Sequence, residues 1–404
     1  MKKIYRINKN YLRRVIFYVL ILFPFIQQRT LSELPLWVSS MYKYYTIFSS
    51  TVIYLFIIFK RKFYILKNKQ WLFFLYWCIN LVSTILYAPS QIYYVLHMAY
   101  IMIALVLFMY YTSEKSLKEL LTALSIIYGA FIFLNWILFM IYPNGIYNPD
   151  SYHIGHLLGD DNAIIYVALP GLICIVCNSI KKNKKISFFT WFLLFVTEFT
   201  FIKLWAASAL LCLTLFIVGL IFAYKTNKPN PKTVLILVLC VIFIVLFGLS
   251  NSFVQRFIVN VLHKDITLSN RTLLWNLAIQ YIMQKPILGY GGYFVKGQFK
   301  AISNSWYTYP CHTTYLQLAI DGGFILLFVF ILTTFFGYNT ISKDKENLYS
   351  RILAIGLGCM LINYITEYAQ LMHYTIIICL MLNITSDTQT EKENKYEKYS
   401  INKI

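Results

Sequence analysis

Long apolar runs separated by short polar segments recur along nearly the whole chain. Most of these runs are about 17 to 25 residues long, the helix length needed to cross about 30 Å of hydrocarbon. The pattern predicts an all-α, polytopic membrane protein with about 12 transmembrane helices. The predicted spans are 11–27, 38–59, 70–88, 92–111, 118–141, 162–180, 186–202, 204–224, 232–250, 311–337, 350–367 and 370–385.

One polar interruption is much longer than the others and covers residues 251–310. We expect it to form a single large external loop. The apolar pattern on both sides predicts one integral membrane domain over residues 1–385. Residues 386–404 are polar and mixed in charge, a composition typical of a disordered tail, which we expect on the cytoplasmic side.

Composition excludes a soluble globular protein. Of the 404 residues, 59% are hydrophobic and only 13% are charged, too few to cover a soluble surface. The net charge of +20 raises the possibility of a nucleic-acid partner, but most of the basic residues lie in short loops on one side of the predicted topology. Short positive loops stay in the cytoplasm. We therefore predict a multi-pass protein of the cytoplasmic membrane with both termini cytoplasmic and no nucleic-acid partner.

Basic residues are also concentrated in the external segment, and Asp265 is the single acidic residue of that segment. They are Arg256, Lys264, Arg271, Lys285, Lys296 and Lys300. Long segments cross the membrane regardless of charge, so this cluster is compatible with the predicted topology. An anionic ligand is the simplest reason for it.

Histidine and aspartate share the loop between the fifth and sixth predicted spans, which raises the possibility of a metal site. The residues are Asp150, His153, His156, Asp160 and Asp161. We favour a solvated turn, because the histidines lie in a glycine-containing loop. Cys174 and Cys177 form a CxxC motif inside a span without a second pair or a histidine at ligand spacing, and predict core packing. We predict no metal and no other cofactor.

The sequence RTLLWNLAIQYIMQ, from Arg271 to Gln284, predicts an amphipathic helix that lies on the outer surface. Arg271 falls in its first turn and Trp275 one turn later. Unpaired N–H groups at a helix start, together with a guanidinium, suit phosphate oxygens. The alternative for Arg271 is an exposed arginine near lipid headgroups. Gly289 and Gly291 follow, and either bring the backbone close to a ligand or only reverse the chain.

His312 lies close to the start of the span predicted at 311–337. The helix dipole and nearby cations disfavour imidazolium there, so a neutral histidine able to accept a proton from a hydroxyl is expected. The alternative is an interfacial histidine without a catalytic role. Lys203, at the outer end of the seventh span, is either a snorkelling lysine or a second cation for a diphosphate. We interpret Glu198, Asp321 and Glu367 first as members of polar networks.

The spacing of an arginine, a tryptophan, a Pro-x-x-Gly-x-Gly turn and a histidine that opens a span resembles the O-antigen ligase and polymerase superfamily. The matching residues are Arg271, Trp275, Pro286, Gly289, Gly291, His312, Tyr315, Leu316, Gly322 and Gly323. Lys203 and Ser208 stand in a segment similar to the family's upstream basic segment. The chain departs from the family pattern at Thr313, where asparagine is usual, and at Lys203, where many members have arginine.

The resemblance implies transfer of an oligosaccharide from undecaprenyl diphosphate to an acceptor hydroxyl on the outer face, without metal or nucleotide. It implies a Wzy-type polymerase that joins lipid-linked repeat units into a capsular, exopolysaccharide or O-antigen chain, with a flippase and a chain-length regulator of the same pathway as possible partners. His312 and Arg271 are the expected catalytic residues. The expected substrate-binding residues are Lys203, Arg256, Trp275, Gly289, Gly291 and Tyr315. A ligase, a flippase and a structural export subunit are the alternatives.

Overall fold

The computed structural model describes residues 9–26, 35–60, 69–147, 155–247, 256, 271–292, 311–368 and 371–383. The predicted all-α class is confirmed, since helices account for nearly all the regular structure in these ranges. The α-helices are α1 Lys9–Leu22, α2 Leu36–Phe59, α3 Trp71–Tyr87, α4 Ile92–Ile141, α5 Ile164–Asn183, α6 Phe188–Leu204, α7 Ala207–Thr226, α8 Pro231–Phe247, α9 Arg271–Gln284, α10 Thr314–Ile341, α11 Leu348–Thr366 and α12 Leu371–Leu382. Short 3-10 helices cover Phe23–Phe25, Pro89–Gln91 and Ser342–Asp344.

Within the described residues, each predicted span overlaps one of these helices. Among the described residues, six helices are long and apolar enough to cross a membrane, and three further apolar helices are shorter. The chain is therefore a multi-pass membrane protein. The count of 12 spans and the direction of the termini stay predictions.

The longest helix, α4, folds in its middle at Ser116, whose backbone leaves the helical region. The part of α4 before Ser116 packs against α2, where the rings of Phe56 and Tyr111 lie 5.0 Å apart. The part of α4 after Ser116 packs against α1, where the Tyr11 hydroxyl lies 2.7 Å from the Thr122 hydroxyl. The two predicted spans 92–111 and 118–141 are thus the two arms of α4.

The most deeply buried helices are α11 and α12. Helix α11 packs against α5, α7 and α8, while α12 packs against α4, α10 and α11. Glycines allow close approach at these contacts: Gly356 of α11 faces Ile173 of α5, and Gly219 of α7 faces Ile355 of α11. Small residues of this kind favour helix association inside a membrane, where lipid is as apolar as the helix surfaces.

Helix α10 is broken at Gly322 and Gly323, and the break makes it two helices, a short arm (314–321) and a long arm (324–341). The ring centroids of Tyr315 and Phe330 lie 6.2 Å apart. In a straight helix these positions would be about 22 Å apart along the axis, farther than the two side chains can bridge. The short arm therefore folds back along the long arm. The single span predicted over 311–337 is wrong in this respect, because only the long arm is a continuous helix that could cross.

Residues 155–160 form a β-hairpin between α4 and α5, in which β1 (Gly155–His156) pairs antiparallel with β2 (Gly159–Asp160). Its tip is fixed by Asn135, whose Oδ1 accepts a hydrogen bond from the Leu158 N–H at 3.0 Å. His156 is buried against the Phe139 ring, and burial lowers the pKa of its imidazole because desolvation disfavours the charged form. The solvated turn expected here is wrong for the described part, while Asp150 and His153 lie outside the described residues.

The predicted external loop is described only in part. Helix α9 stands where the amphipathic helix was predicted, and its buried residues Leu274, Trp275, Ala278 and Ile282 form one face. Most of 251–270 and all of 293–310 lie outside the described residues, as does the tail from 384 onward. The predicted roles of Lys264, Lys296 and Lys300 fall in these segments.

Candidate active site

An ion pair between Arg271 and Glu367 stands at the centre of the candidate site. The Arg271 Nη2 lies 2.6 Å from Glu367 Oε1, and the other carboxylate oxygen accepts a hydrogen bond from the Tyr166 hydroxyl at 2.8 Å. Arg271 begins α9, Glu367 directly follows α11 and Tyr166 lies in the first turn of α5. Three elements distant in sequence thus meet at one carboxylate, which is buried while 18% of the Arg271 side chain stays exposed.

The residues after His312 dock on the same end of α11. The Thr313 hydroxyl donates to the Tyr364 carbonyl at 3.2 Å, and the Thr314 hydroxyl donates to the Glu367 carbonyl at 2.9 Å. Carbonyls at a helix C-terminus have no partner within the helix, so these hydroxyls satisfy groups that would otherwise be buried and unpaired. Because Arg271 binds the Glu367 side chain and Thr314 binds its backbone, His312 and Arg271 lie on the same side of the molecule around Glu367.

His312 itself has a left-handed backbone, with φ of 50°. A residue with a Cβ adopts this conformation at a cost of about 1 to 3 kcal/mol, and it persists only where neighbouring contacts impose it. The contacts on either side of His312 are the Thr313 bond to α11 and a bond from the Cys311 N–H to Gln317 Oε1 at 3.3 Å. The chain therefore turns sharply at the histidine, and its side chain is half-buried.

Trp275 and Tyr315 pack together beside this pair. Trp275 is buried in a small apolar cluster with Ile365 of α11, and Tyr315 borders the cluster. Among the described residues, the Trp275 indole Nε1 has no hydrogen-bond partner. The Tyr315 hydroxyl donates to the Leu361 carbonyl at 2.7 Å. Both residues thus lie next to Arg271 and His312, although Tyr315 uses its hydroxyl to hold the short arm against α11.

The glycine-containing turn after α9 packs into the break of α10. The N–H groups of Tyr290 and Gly291 donate to the carbonyls of Ile320 and Asp321, at 2.7 and 2.9 Å. These carbonyls would otherwise accept from the next turn of an unbroken helix, so the inserted turn replaces that pairing and separates the two arms. Gly289 has φ of 65° and a Cβ there would collide with the Ile320 carbonyl. The packing of this turn thus explains why glycine stands at positions 289 and 291. Their contact with substrate stays a prediction.

Two predicted substrate-binding residues lie apart from this group. Lys203 is exposed at the end of α6, with its amine 5.6 Å from the Phe199 ring of the same helix. Arg256 is exposed as well. No contact within the described part of the chain joins either residue to Arg271 or His312, so their roles stay predictions.

Two residues of the site were missed by the sequence reasoning as site residues. Glu367 was expected to join a polar network, but its pairing with Arg271 was not foreseen, and Tyr166 was not singled out. The available signal for Glu367 was an acid at the outer end of a predicted span, opposite an external segment rich in cations. Tyr166 gave no signal, because a tyrosine near a helix start is common in membrane proteins.

The opposite end of α11 carries basic residues of the predicted cytoplasmic loops. There Arg351 donates to Asn227 Oδ1 at 3.0 Å, and the Lys181 amine lies 5.2 Å from the Tyr349 ring. The Arg271–Glu367 pair and these loops therefore lie at opposite ends of the bundle. Within the described ranges, no group of three or more His, Cys, Asp or Glu residues could hold a metal ion.

A family model described as O-antigen ligase matches residues 157–331. The matched segment begins in the β-hairpin, includes Tyr166, Lys203, Arg271 and His312, and ends in the long arm of α10. Glu367 lies beyond it. No curated protein matches the chain.

Proposed function

We propose that the chain is a Wzy-type polymerase of the O-antigen ligase and polymerase superfamily, whose members are membrane enzymes that transfer glycans. The match of a family model described as O-antigen ligase to residues 157–331 supports this. In this proposal it joins oligosaccharide repeat units carried on undecaprenyl diphosphate into a capsular, exopolysaccharide or O-antigen chain at the outer face of the cytoplasmic membrane. The observation that carries the proposal is the meeting of Arg271 and His312 around Glu367, at the end of the bundle opposite the basic loops.

Arg271 binds the donor diphosphate in this proposal. Its guanidinium is held by Glu367 yet partly exposed, so it is oriented and still able to donate to a further acceptor. It also stands at the first position of α9, where unpaired N–H groups carry partial positive charge. As the glycosidic bond to the diphosphate breaks, negative charge grows on the leaving oxygen. A fixed cation at this place stabilises that charge more than it stabilises the bound donor.

His312 accepts the proton of the attacking hydroxyl. An oxygen of the acceptor sugar forms a bond to the anomeric carbon of the donor sugar, and the bond from that carbon to the diphosphate oxygen breaks. The hydroxyl proton moves to the His312 imidazole, and undecaprenyl diphosphate leaves with the electron pair of the broken bond. The rigid turn at His312 suits this role, since a base must be held within hydrogen-bond reach of the proton it takes.

Trp275 and Tyr315 border the sugar that lies next to the diphosphate. Both residues belong to the apolar cluster around Ile365, so in this proposal they form the wall behind that sugar. Lys203 and Arg256 lie apart from this group, and in the proposal they are further cations that attract the donor. The Gly289–Gly291 turn supports the proposed donor site by packing into the break of α10. The surrounding membrane lipids and the apolar helices hold the polyprenyl tail, and a flippase and a chain-length regulator act with the enzyme.

The test is a glycan ladder made by cells that express His312→Ala or Arg271→Ala. We expect protein amounts near those of the wild type and a loss of long chains, with single repeat units accumulating on the lipid carrier. Gln280→Glu is the matched control, because Gln280 is exposed on α9 and away from the pair. It should keep the normal ladder.

Normal ladders from both alanine variants at normal expression would overturn the assignment. A ligase gives a different pattern, in which chains still lengthen on the carrier but are not moved to a second acceptor. A flippase gives a third pattern, in which repeat units accumulate only on the cytoplasmic face. The three readouts therefore separate the polymerase from its alternatives.

A further inference from the structure

A buried pair of polar side chains, Gln317 and Asp321, stands one turn apart on the short arm of α10. Gln317 Nε2 donates to Asp321 Oδ1 at 2.9 Å. Gln317 Oε1 accepts the Cys311 N–H at 3.3 Å. Gln317 is 2% exposed and Asp321 is 8% exposed. Both hydrogen bonds are therefore shielded from water, where a lost partner is costly.

We propose that Gln317 and Asp321 are positioning residues that fix the direction of the Cys311 N–H, one residue before His312. This inference rests on the proposed role of His312 as the base. A side-chain amide has a donor end and an acceptor end, and the local network decides which way it points. The acceptor oxygen of Asp321 draws the Gln317 amino group toward itself. The Gln317 oxygen is thereby left facing the Cys311 N–H.

The histidine needs this support because its backbone is left-handed, with φ of 50°. On its C-terminal side, Thr313 fixes the chain to the Tyr364 carbonyl. On its N-terminal side, the bond from Cys311 to Gln317 is the matching restraint. A turned Gln317 amide would place its amino group against the Cys311 N–H, two donors facing each other, and the peptide would rotate away.

Asp321 is itself anchored from outside the arm. Its carbonyl accepts from the Gly291 N–H at 2.9 Å and from the Ser83 hydroxyl of α3 at 3.0 Å. The pair therefore links the base to the fixed glycine turn and to the bundle. None of these groups needs to touch the substrate in order to affect the reaction.

The test exchanges the donor at position 317 and the acceptor at position 321. Gln317→Glu keeps an acceptor for Cys311 but sets one carboxylate against another, so we expect a large loss. Adding Asp321→Asn supplies an amino group that donates to the new carboxylate at position 317. The bond between the two side chains is then restored in the reverse direction, while the Cys311 N–H still donates to position 317. Asp321→Asn alone also keeps the network, since its carbonyl can accept from Gln317.

The readout is transfer by purified full-length protein, with the lipid-linked repeat unit as donor. We expect kcat to fall about 100-fold in Gln317→Glu, because a small misplacement of a catalytic group can cost this much. KM for the donor should stay within about twofold of the wild type, since Arg271 still binds the diphosphate. The double variant should regain most of kcat. A fold that is only loosened would not be rescued by a second change in this way.

Asp321→Leu and Asp321→Asn place side chains of nearly equal volume at position 321. Their comparison tests the inference if the Gln317→Glu protein does not accumulate. We expect Asp321→Leu to lose kcat as Gln317→Glu does, and Asp321→Asn to keep it. Equal kcat in Asp321→Leu and Asp321→Asn, or a Gln317→Glu variant of normal kcat, would overturn the inference. Absence of transfer by the wild type would instead overturn the proposed function.

Discussion

Two arginines at opposite ends of α11 have different partners. Arg271 binds the carboxylate of Glu367 at the end of the helix and keeps 18% of its side chain exposed. Arg351, in the first turn, is 1% exposed and donates to an amide oxygen of Asn227 and to the Glu346 carbonyl. Its Nε and Nη1 have no partner among the described residues.

The difference separates an arginine that can take part in a reaction from one that closes a helix end. An exposed guanidinium oriented by a carboxylate can add a bond to an incoming phosphate. A guanidinium enclosed by neutral oxygens has no accessible edge, and its burial is costly because no opposite charge compensates it. The comparison can be tested by making the same changes at both ends.

The largest effect is expected from Arg271→Met. Methionine keeps much of the side-chain volume but removes the charge and all five donors. We expect transfer to fall about 100- to 1,000-fold, the loss seen when one donor to a developing negative charge is removed. Turnover of purified protein measures it, with the unfolding midpoint as control. A variant that unfolds early instead of losing turnover would place Arg271 with Arg351 as a structural residue.

A smaller effect is expected from Glu367→Gln. Glutamine keeps one acceptor for Arg271, but the bond is no longer between two charges. The attraction between two opposite charges in a partly exposed pair is about 1 kcal/mol, so without it Arg271 should bind the diphosphate more readily. We expect KM for the lipid-linked donor to fall about fivefold, measured by transfer rates over a range of donor concentrations. A raised KM would show that the Glu367 charge helps donor binding instead of competing with it.

The smallest effect is expected from Arg351→Met. The change removes a buried charge that forms no ion pair with a described residue, and it leaves an apolar side chain of similar volume. Replacing buried ionic groups with apolar ones often raises stability by about 1 kcal/mol or more. We expect a slightly higher unfolding midpoint in detergent and unchanged turnover. A fall of the midpoint would mean that the bonds to Asn227 and Glu346 outweigh the cost of the buried charge.

The helices could be predicted from the sequence because a membrane span needs one long apolar run, a feature that is local. The position of α9 follows from an apolar face and from Pro286 after its last residue, which are also local. The Arg271–Glu367 pair joins residues 96 positions apart, and no pattern along the chain encodes that distance. A polar segment between apolar spans predicts a solvated turn at residues 155–160. In the fold, Asn135 and the surrounding helices bury this hairpin.

The break in α10 shows the same limit within a single apolar run. Gly322 and Gly323 belong to the family motif, and the apolar run 311–337 that contains them has the length of one span. The helix divides there because the turn from Pro286 to Gly291 occupies its hydrogen-bonding groups. A tertiary contact overrides the local pattern, and the result is the folded-back short arm that carries His312.

The most direct test of the account uses purified full-length protein in lipid nanodiscs with a synthetic undecaprenyl-diphosphate-linked repeat unit. Released undecaprenyl diphosphate and glycan length are measured together for the wild type and for His312→Ala. We expect the wild type to release one carrier for each repeat unit added, and the variant to show neither release nor lengthening. Lengthening by His312→Ala at the wild-type rate, or no transfer by folded wild-type protein, would contradict it.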